Sequence, residues 1–101
     1  MIKRPVKLKT PLAIIWQLEK QGLYDFVAHA WQRLQQRDVT VQEVLQILRR
    51  GYHEARKDEF REDFMEWNYA IRGTTLDARS LRLAVAVKPG GFFVLTVIDL
   101  D

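Results

Sequence analysis

The spacing of apolar residues changes at Gly51, and this change sets the class of fold that the chain can adopt. Before Gly51 the apolar residues recur every three or four positions, which is typical of amphipathic helices. After it they alternate with polar residues, from Met65 to Ile71 and again from Leu81 to Val87, which is typical of strands. The order predicts an α+β domain, with N-terminal helices packed on one face of a three- to four-stranded antiparallel sheet.

Three segments are predicted within a single domain, because 101 residues is the length of one folding unit. Residues 1–9 are expected to form an extended basic arm, residues 10–50 the helices and residues 52–98 the antiparallel sheet. The cations of the arm are Lys3, Arg4, Lys7 and Lys9.

Capping residues mark the helices. Thr10-Pro11 predicts the start of a helix over residues 10–22, and a second helix is expected from about Tyr24 to Gln36. Thr40 and Glu43 have the spacing of a capping box, which predicts the start of a third helix.

The segments around the alternating strands are less regular. Residues 52–64 are charged and show no clear period, which indicates a short edge strand or an irregular crossing. Residues 92–98 are apolar on both faces, as in a central strand that is covered on both sides.

Composition excludes several classes of site. The chain has no cysteine, so disulfides and thiolate metal ligands are excluded. A zinc site would need His29, His53 and carboxylates to converge, and no metal or other cofactor is expected. No apolar run reaches the ~18–20 residues of a membrane span, so we expect a cytoplasmic protein without a membrane partner. The net charge of +3 permits nucleic-acid binding without requiring it.

His29, Arg33 and Arg37 recur every four residues and therefore stack along one side of the second helix. An imidazole can exchange a proton near neutral pH, and arginines bind phosphate and stabilise developing negative charge. The pattern predicts a phosphodiester site in which His29 and Arg33 act in the chemistry and Arg37 binds substrate. The alternative is an exposed helix histidine whose ring nitrogens are satisfied locally.

Hydroxyl and cationic side chains on the strands are further candidates. Thr96 is the one hydroxyl within the apolar strand of residues 92–98, and we expect it to face the helix of His29. The alternative is a β-branched residue whose hydroxyl bonds to the backbone. Arg72, Arg82 and Lys88 share one phase of the alternation and are either substrate-binding cations or plain solvated surface.

The order and spacing of three motifs resemble the uncharacterised domain family numbered 4258 over about residues 23–98. The motifs are His29-Ala-x-x-Arg33-x-x-x-Arg37-x-Val-Thr-x-x-Glu43, Trp67-x-Tyr69-x-Ile71-x-Gly73-x-Thr-x-Asp77-x-Arg79 and Val94-Leu-Thr-Val-Ile98. Families of this type are placed near the RelE/ParE and BrnT toxins of bacterial toxin–antitoxin pairs, which implies a RelE-like fold.

The resemblance also implies an activity and partners. It implies a metal-independent endoribonuclease, similar to mRNA interferases, with His29 as the general acid–base. Arg33 and Arg37 would bind phosphate, and Thr96 would be the strand hydroxyl in the cleft. The implied partners are RNA and a cognate antitoxin of the zinc-finger or helix-turn-helix type.

Two other functions remain open on the sequence. One is a non-catalytic toxin-like module that binds a protein target or an antitoxin. The other is a purely RNA-binding accessory protein, whose affinity would depend steeply on salt and which would leave RNA at full length. In the endoribonuclease, the basic arm and Arg49-Arg50 would add nonspecific, salt-sensitive affinity for RNA. Cleavage of RNA would distinguish the endoribonuclease from both of these alternatives.

Overall fold

The computed structural model describes residues 4–101, so Lys3 of the predicted arm lies outside the described residues. Over residues 4–101 the chain is α+β, as predicted, with three α-helices, six strands and one short 3-10 helix. The helices are α1 (Pro11–Lys20), α2 (Ala28–Arg37) and α3 (Val41–Arg50). The strands are β1 (Tyr24–Phe26), β2 (Tyr52–His53), β3 (Glu59–Arg61), β4 (Glu66–Thr74), β5 (Ser80–Lys88) and β6 (Gly91–Asp99), and the 3-10 helix is η1 (Ala55–Lys57).

The sheet has six strands and is mixed, whereas three or four antiparallel strands were predicted. The strand order is β1-β6-β5-β4-β2, and β3 also pairs with β4. Strands β4, β5 and β6 form the antiparallel part, while β1 runs parallel to β6. The additional strands have only two or three residues each, which is too few to show an alternating pattern in the sequence.

The buried side chains of all three helices join those of the three long strands in one core. Ile15 of α1, Leu34 of α2 and Leu48 of α3 belong to it, together with Ile71, Leu83 and Val94. The helices therefore cover one face of the sheet, which we call the core face. In residues 4–101 every helix is too short, or too polar, to cross a membrane.

The start of α3 is held by the predicted capping box. The backbone N–H of Glu43 donates to Thr40 Oγ1 at 3.1 Å, and the backbone N–H of Thr40 donates to Glu43 Oε1 at 3.0 Å. Thr10, at the corresponding position before α1, makes no such side-chain bond. Two threonines with similar sequence signals thus differ in what they contribute to their helices.

The second helix begins later than predicted. Residues from Tyr24 to Phe26 pair with β6 as a strand, and α2 begins at Ala28. The Val27 N–H donates to the Val94 carbonyl at 3.1 Å, so the chain leaves β6 at this point and turns into α2.

Within the described chain no α-helix packs across the other face of the sheet, and we call it the open face. Asn68, Ala70 and Arg72 lie on it, because they alternate with the core residues Tyr69 and Ile71. The register extends the face across the sheet in three rows: Arg72, Arg82 and Ile98; Ala70, Ala84 and Thr96; Asn68, Ala86 and Phe93. The prediction that the last strand is covered on both sides is only partly met, since Ile98 is exposed on this face.

The described part of the arm lies against β3 and β4. Trp67 Nε1 donates to the Pro5 carbonyl at 3.0 Å, and the Leu8 N–H donates to the Tyr69 hydroxyl at 2.8 Å. Lys7 Nζ lies 2.7 Å from Asp58 Oδ2. Lys7 is therefore engaged in an ion pair within the fold.

Candidate functional site

A groove of about 570 Å³ lies on the open face of the sheet. Its floor is formed by the middle of β4, β5 and β6. One wall is the beginning of α2, and the other is the segment from η1 through β3 to Phe64. The lining residues of the open face that carry polar or charged side chains are His29, Lys57, Glu59, Arg61, Glu66, Asn68, Arg82 and Thr96.

His29 projects from the first turn of α2 and is exposed at the groove. Arg33, one turn later, donates from Nε to His29 Nε2 at 3.3 Å, as their spacing predicted. In this bond Nε2 is the acceptor, which is a role that an imidazole nitrogen without a proton can fill. Arg33 is also held by Gln36, whose Oε1 accepts from Nη1 at 2.9 Å.

Thr96 and Arg82 lie on the floor of the same groove. Thr96 is half-buried in β6, directly across from Ala84. Arg82 Nε donates to Glu54 Oε1 at 2.7 Å, and Arg72 Nη1 lies 3.4 Å from Glu54 Oε2. One carboxylate thus ties two arginines of neighbouring strands together.

The interaction between Glu54 and Arg82 shifts the pKa of both residues. The hydrogen bond from Arg82 holds the pKa of Glu54 below its ordinary value, and the charges of Arg82 and Arg72 act in the same direction. The same bond raises the pKa of Arg82. Arg82 therefore stays charged at the groove, where Glu54 offsets part of its charge.

Three of the predicted binding cations do not line the groove. Arg37 lies at the end of α2, where its Nε is buried without an acceptor among residues 4–101. Arg72 is directed to Glu54, and Lys88 Nζ lies 3.5 Å from Glu66 Oε2. The structure thus brings together His29, Thr96 and Arg82, with Arg33 beside them through its bond to His29.

The groove also contains residues that sequence analysis did not single out. Lys57, Glu59, Arg61 and Phe64 come from the segment without a clear period, so no pattern indicated which face they occupy. Asn68 had a usable signal: it is a polar residue of low strand propensity in the middle of a β-rich stretch.

Outside the groove, a second polar cluster surrounds the buried carboxylate of Asp58. Asp58 Oδ1 accepts from the Ala70 N–H at 2.7 Å, and Oδ2 lies 2.7 Å from both His53 Nε2 and Lys7 Nζ. Asp58 thus takes the place of a paired strand residue where the sheet edge is interrupted by η1. Within residues 4–101, no group of three or more His, Asp or Glu side chains has the arrangement of a metal site.

The family model described as a domain of unknown function, DUF4258, matches residues 26–99. This chain belongs to that family. Every residue that lines the groove lies within the matched range, whereas α1 precedes it. Among curated proteins and among solved structures, no significant match to the chain is found.

The groove of this DUF4258 domain combines groups that serve acid–base and anion chemistry. A neutral imidazole can accept a proton, the Thr96 hydroxyl can donate a hydrogen bond, and Lys57 and Arg82 supply positive charge. Glu59 and Glu66 add negative charge on the β3–β4 side. The groove is not uniformly basic, as a surface that binds a polyanion along its length would be. It suits one localised anionic group of a substrate.

Proposed function

We propose that this DUF4258 domain is a metal-independent endoribonuclease that acts as the toxin of a bacterial toxin–antitoxin pair. The observation that supports the proposal most is the convergence of His29 and Thr96 on one groove, from opposite ends of the chain and in the company of Arg82. An imidazole, a hydroxyl and a guanidinium are groups that phosphodiester transfer uses.

In the proposed reaction, the 2′-hydroxyl of RNA attacks the adjacent phosphorus, and the bond from phosphorus to the 5′ oxygen breaks. His29 Nε2 takes the proton from the 2′-hydroxyl and delivers it to the departing 5′ oxygen. The products are a 2′,3′-cyclic phosphate and a 5′-hydroxyl. Arg33, which now donates to His29, would turn toward the phosphate oxygens as negative charge develops there.

Thr96 and the remaining cations would hold the phosphate. The Thr96 hydroxyl donates to a non-bridging oxygen, while Lys57 and Arg82 offset its charge from the two sides of the groove. Because Arg82 is already fixed by Glu54, it needs little reorganisation when the transition state forms.

The same proposal includes a RelE-like fold, a cytoplasmic location and an antitoxin partner. Its basis is the order of helices before a sheet whose open face carries the site, together with the family membership. The antitoxin would be a small zinc-finger or helix-turn-helix protein encoded beside this chain, and it would act by covering the groove.

The test is incubation with labelled RNA in EDTA, with and without ribosomes. We expect the wild-type protein to cut RNA and His29→Ala to cut it about 10²–10⁴-fold more slowly, the usual contribution of a general acid–base group. Gln32→Ala is the matched control, because Gln32 is exposed on the same helix and does not line the groove. Equal cleavage by His29→Ala and the wild type would remove His29 from the mechanism.

One observation favours a non-catalytic alternative. Glu59 and Glu66 line the groove and would repel a polyanion, which suits a protein ligand better than RNA. In that case RNA stays intact in every lane, and the protein forms a tight complex with a target or antitoxin instead.

A further inference from the structure

Asn68 is placed in the groove in a way that packing does not explain. It lies near the start of β4 with only 9% of its surface exposed, and its buried Oδ1 accepts no hydrogen bond among residues 4–101. A buried acceptor without a donor lowers stability, so native structures rarely retain one without a role.

The neighbours of Asn68 show why Oδ1 is left without a partner. Its cross-strand neighbours are Glu59 on β3 and Ala86 on β5. A carboxylate accepts hydrogen bonds but does not donate them, and alanine has no polar side-chain group. The donor that completes this site must therefore come from outside the side chains that flank Asn68.

The surroundings of Asn68 leave space for a flat ligand. Ala70 and Ala84 occupy the adjoining row of the groove floor, and their small side chains keep the centre of the groove deep. Phe64 lines the same groove with 64% of its surface exposed, and the Arg61 guanidinium lies 5.5 Å from its ring centroid. An exposed aromatic ring beside a guanidinium is a surface on which an unpaired base can stack.

We propose that Asn68 reads the edge of an adenine base that is stacked on Phe64. This inference rests on the proposed function and adds to it the base that the groove selects. A carboxamide offers an acceptor beside a donor, which matches the N6 amine and N7 of adenine. The N4 amine and N3 of cytosine also match it, but the larger purine ring has more surface to stack on Phe64. Guanine presents two acceptors on the same edge, O6 and N7, so Oδ1 would face another acceptor and remain unpaired.

The experiment measures binding of the four nucleoside 3′-monophosphates. These compounds carry a base and a phosphate but have no phosphodiester bond that the protein could cleave. We expect the wild-type protein to bind adenosine 3′-monophosphate about tenfold more tightly than the guanosine compound, as one bidentate contact would give. Asn68→Ala should bring this ratio to near one. Thr74→Ala is the matched control, because Thr74 lies on the same strand and face but outside the groove.

Phe64→Ala separates stacking from reading of the base edge. It should weaken binding of all four nucleotides by a similar factor, about tenfold, and leave the ratio of adenosine to guanosine unchanged. Leu76→Ala, which truncates another highly exposed apolar side chain, should leave both quantities unchanged.

Thermal unfolding distinguishes this role from a structural one. Because Oδ1 has no partner to lose, Asn68→Ala should melt at the same temperature as the wild type or higher. If Asn68 only supported the fold, Asn68→Ala would lower the melting temperature and keep the preference for adenosine.

The outcomes separate the inference from the proposed function. A wild-type ratio near one or in favour of guanosine, or a ratio that persists in Asn68→Ala, overturns the role of Asn68 while RNA cleavage still stands. If no nucleotide binds and RNA stays intact, the proposed nuclease function fails and the inference fails with it.

Discussion

The two histidines of this chain occupy opposite environments. His29 is exposed at the groove, and its one side-chain hydrogen bond links it to Arg33 within the same helix. The His53 side chain is only 16% exposed and lies 2.7 Å from the fully buried carboxylate of Asp58. The same residue type is thus available for chemistry at one site and engaged in the fold at the other.

Replacing each histidine by alanine should therefore give opposite results. His53→Ala should lower the free energy of unfolding by about 1–3 kcal/mol, because it removes a hydrogen-bond partner from a buried carboxylate. His29→Ala should leave this free energy within about 0.5 kcal/mol of the wild type, as is usual for surface positions. Urea denaturation of both variants measures the difference, and a similar loss in both would contradict the assignment.

Glu54 should make stability depend on acidic pH. Hydrogen bonding to Arg82 lowers the pKa of Glu54 in the folded state below the ordinary value of 4.5. The unfolded chain then binds more protons than the folded one, so this stabilisation is complete above pH 4.5 and is lost as the pH falls through the folded pKa. Asp63 and Asp99, whose pKa values are also lowered, act in the same direction.

The variant Glu54→Gln tests this dependence. At neutral pH it should melt at a lower temperature than the wild type, because Arg82 and Arg72 lose their charged partner. The difference between the two proteins should shrink as the pH is lowered from 7 toward 3. A difference that stays constant over this range would show that ionisation of Glu54 does not contribute.

At the scale of elements, the capping box of α3 offers a direct comparison with α1. Thr40→Ala should lower the free energy of unfolding by about 1 kcal/mol, because its hydroxyl accepts from the Glu43 N–H. Thr10→Ala is the control and should have little effect, because Thr10 makes no capping bond. Chemical denaturation of the two variants checks this, and equal losses would mean that the capping bond is not the cause.

β1 is an element that could not be predicted from the sequence. Leu23 and Val27, on either side of it, fit the helical period, so the local pattern favours a helix from about Tyr24 to Gln36. The pairing of Tyr24 with Phe92, at the other end of the chain, decides the outcome instead. β4 and β5 were predictable because nine residues each are enough to display alternation.

In the candidate site, too, one part could be predicted from the sequence and another could not. The contact between His29 and Arg33 was predictable, because residues four apart on a helix are neighbours whatever the rest of the fold does. The wall that carries Lys57 and Arg61 was not predictable. The position of this wall depends on η1 and on Asp58, which replaces a paired strand residue at the sheet edge. No repeating pattern of apolar residues in the sequence indicates either feature.

At the scale of the whole molecule, eight of the 16 Lys and Arg side chains form ion pairs within residues 4–101, although the chain has a net charge of +3. Arg49, Arg72, Arg79, Arg82 and Lys88 each lie within 4 Å of a carboxylate. Of the cations at or beside the groove, Arg33 and Lys57 form none of the ion pairs found within residues 4–101. Electrostatic attraction to RNA should therefore be local and modest.

Salt dependence of RNA binding measures this attraction. If two phosphates are neutralised, log K should fall with log salt concentration with a slope of about −1.4, because each contact to a single strand contributes about −0.7. His29→Ala binds without cutting under the proposed function and is suited to the measurement. A slope steeper than about −4 would show that cations outside the groove also contact RNA.

The order of strands has a consequence for how the protein is made. β1 and β6 are the first and last strands along the sequence, yet they lie side by side, and α2 packs on β6. During synthesis β6 leaves the ribosome after every other strand, so until then α2 has no strand to pack on and Thr96 is missing. A chain that stops before Gly91 carries His29 and Arg33 without a groove. Synthesis of β6 is thus what creates the site, and a fragment that lacks β6 is expected to be inactive.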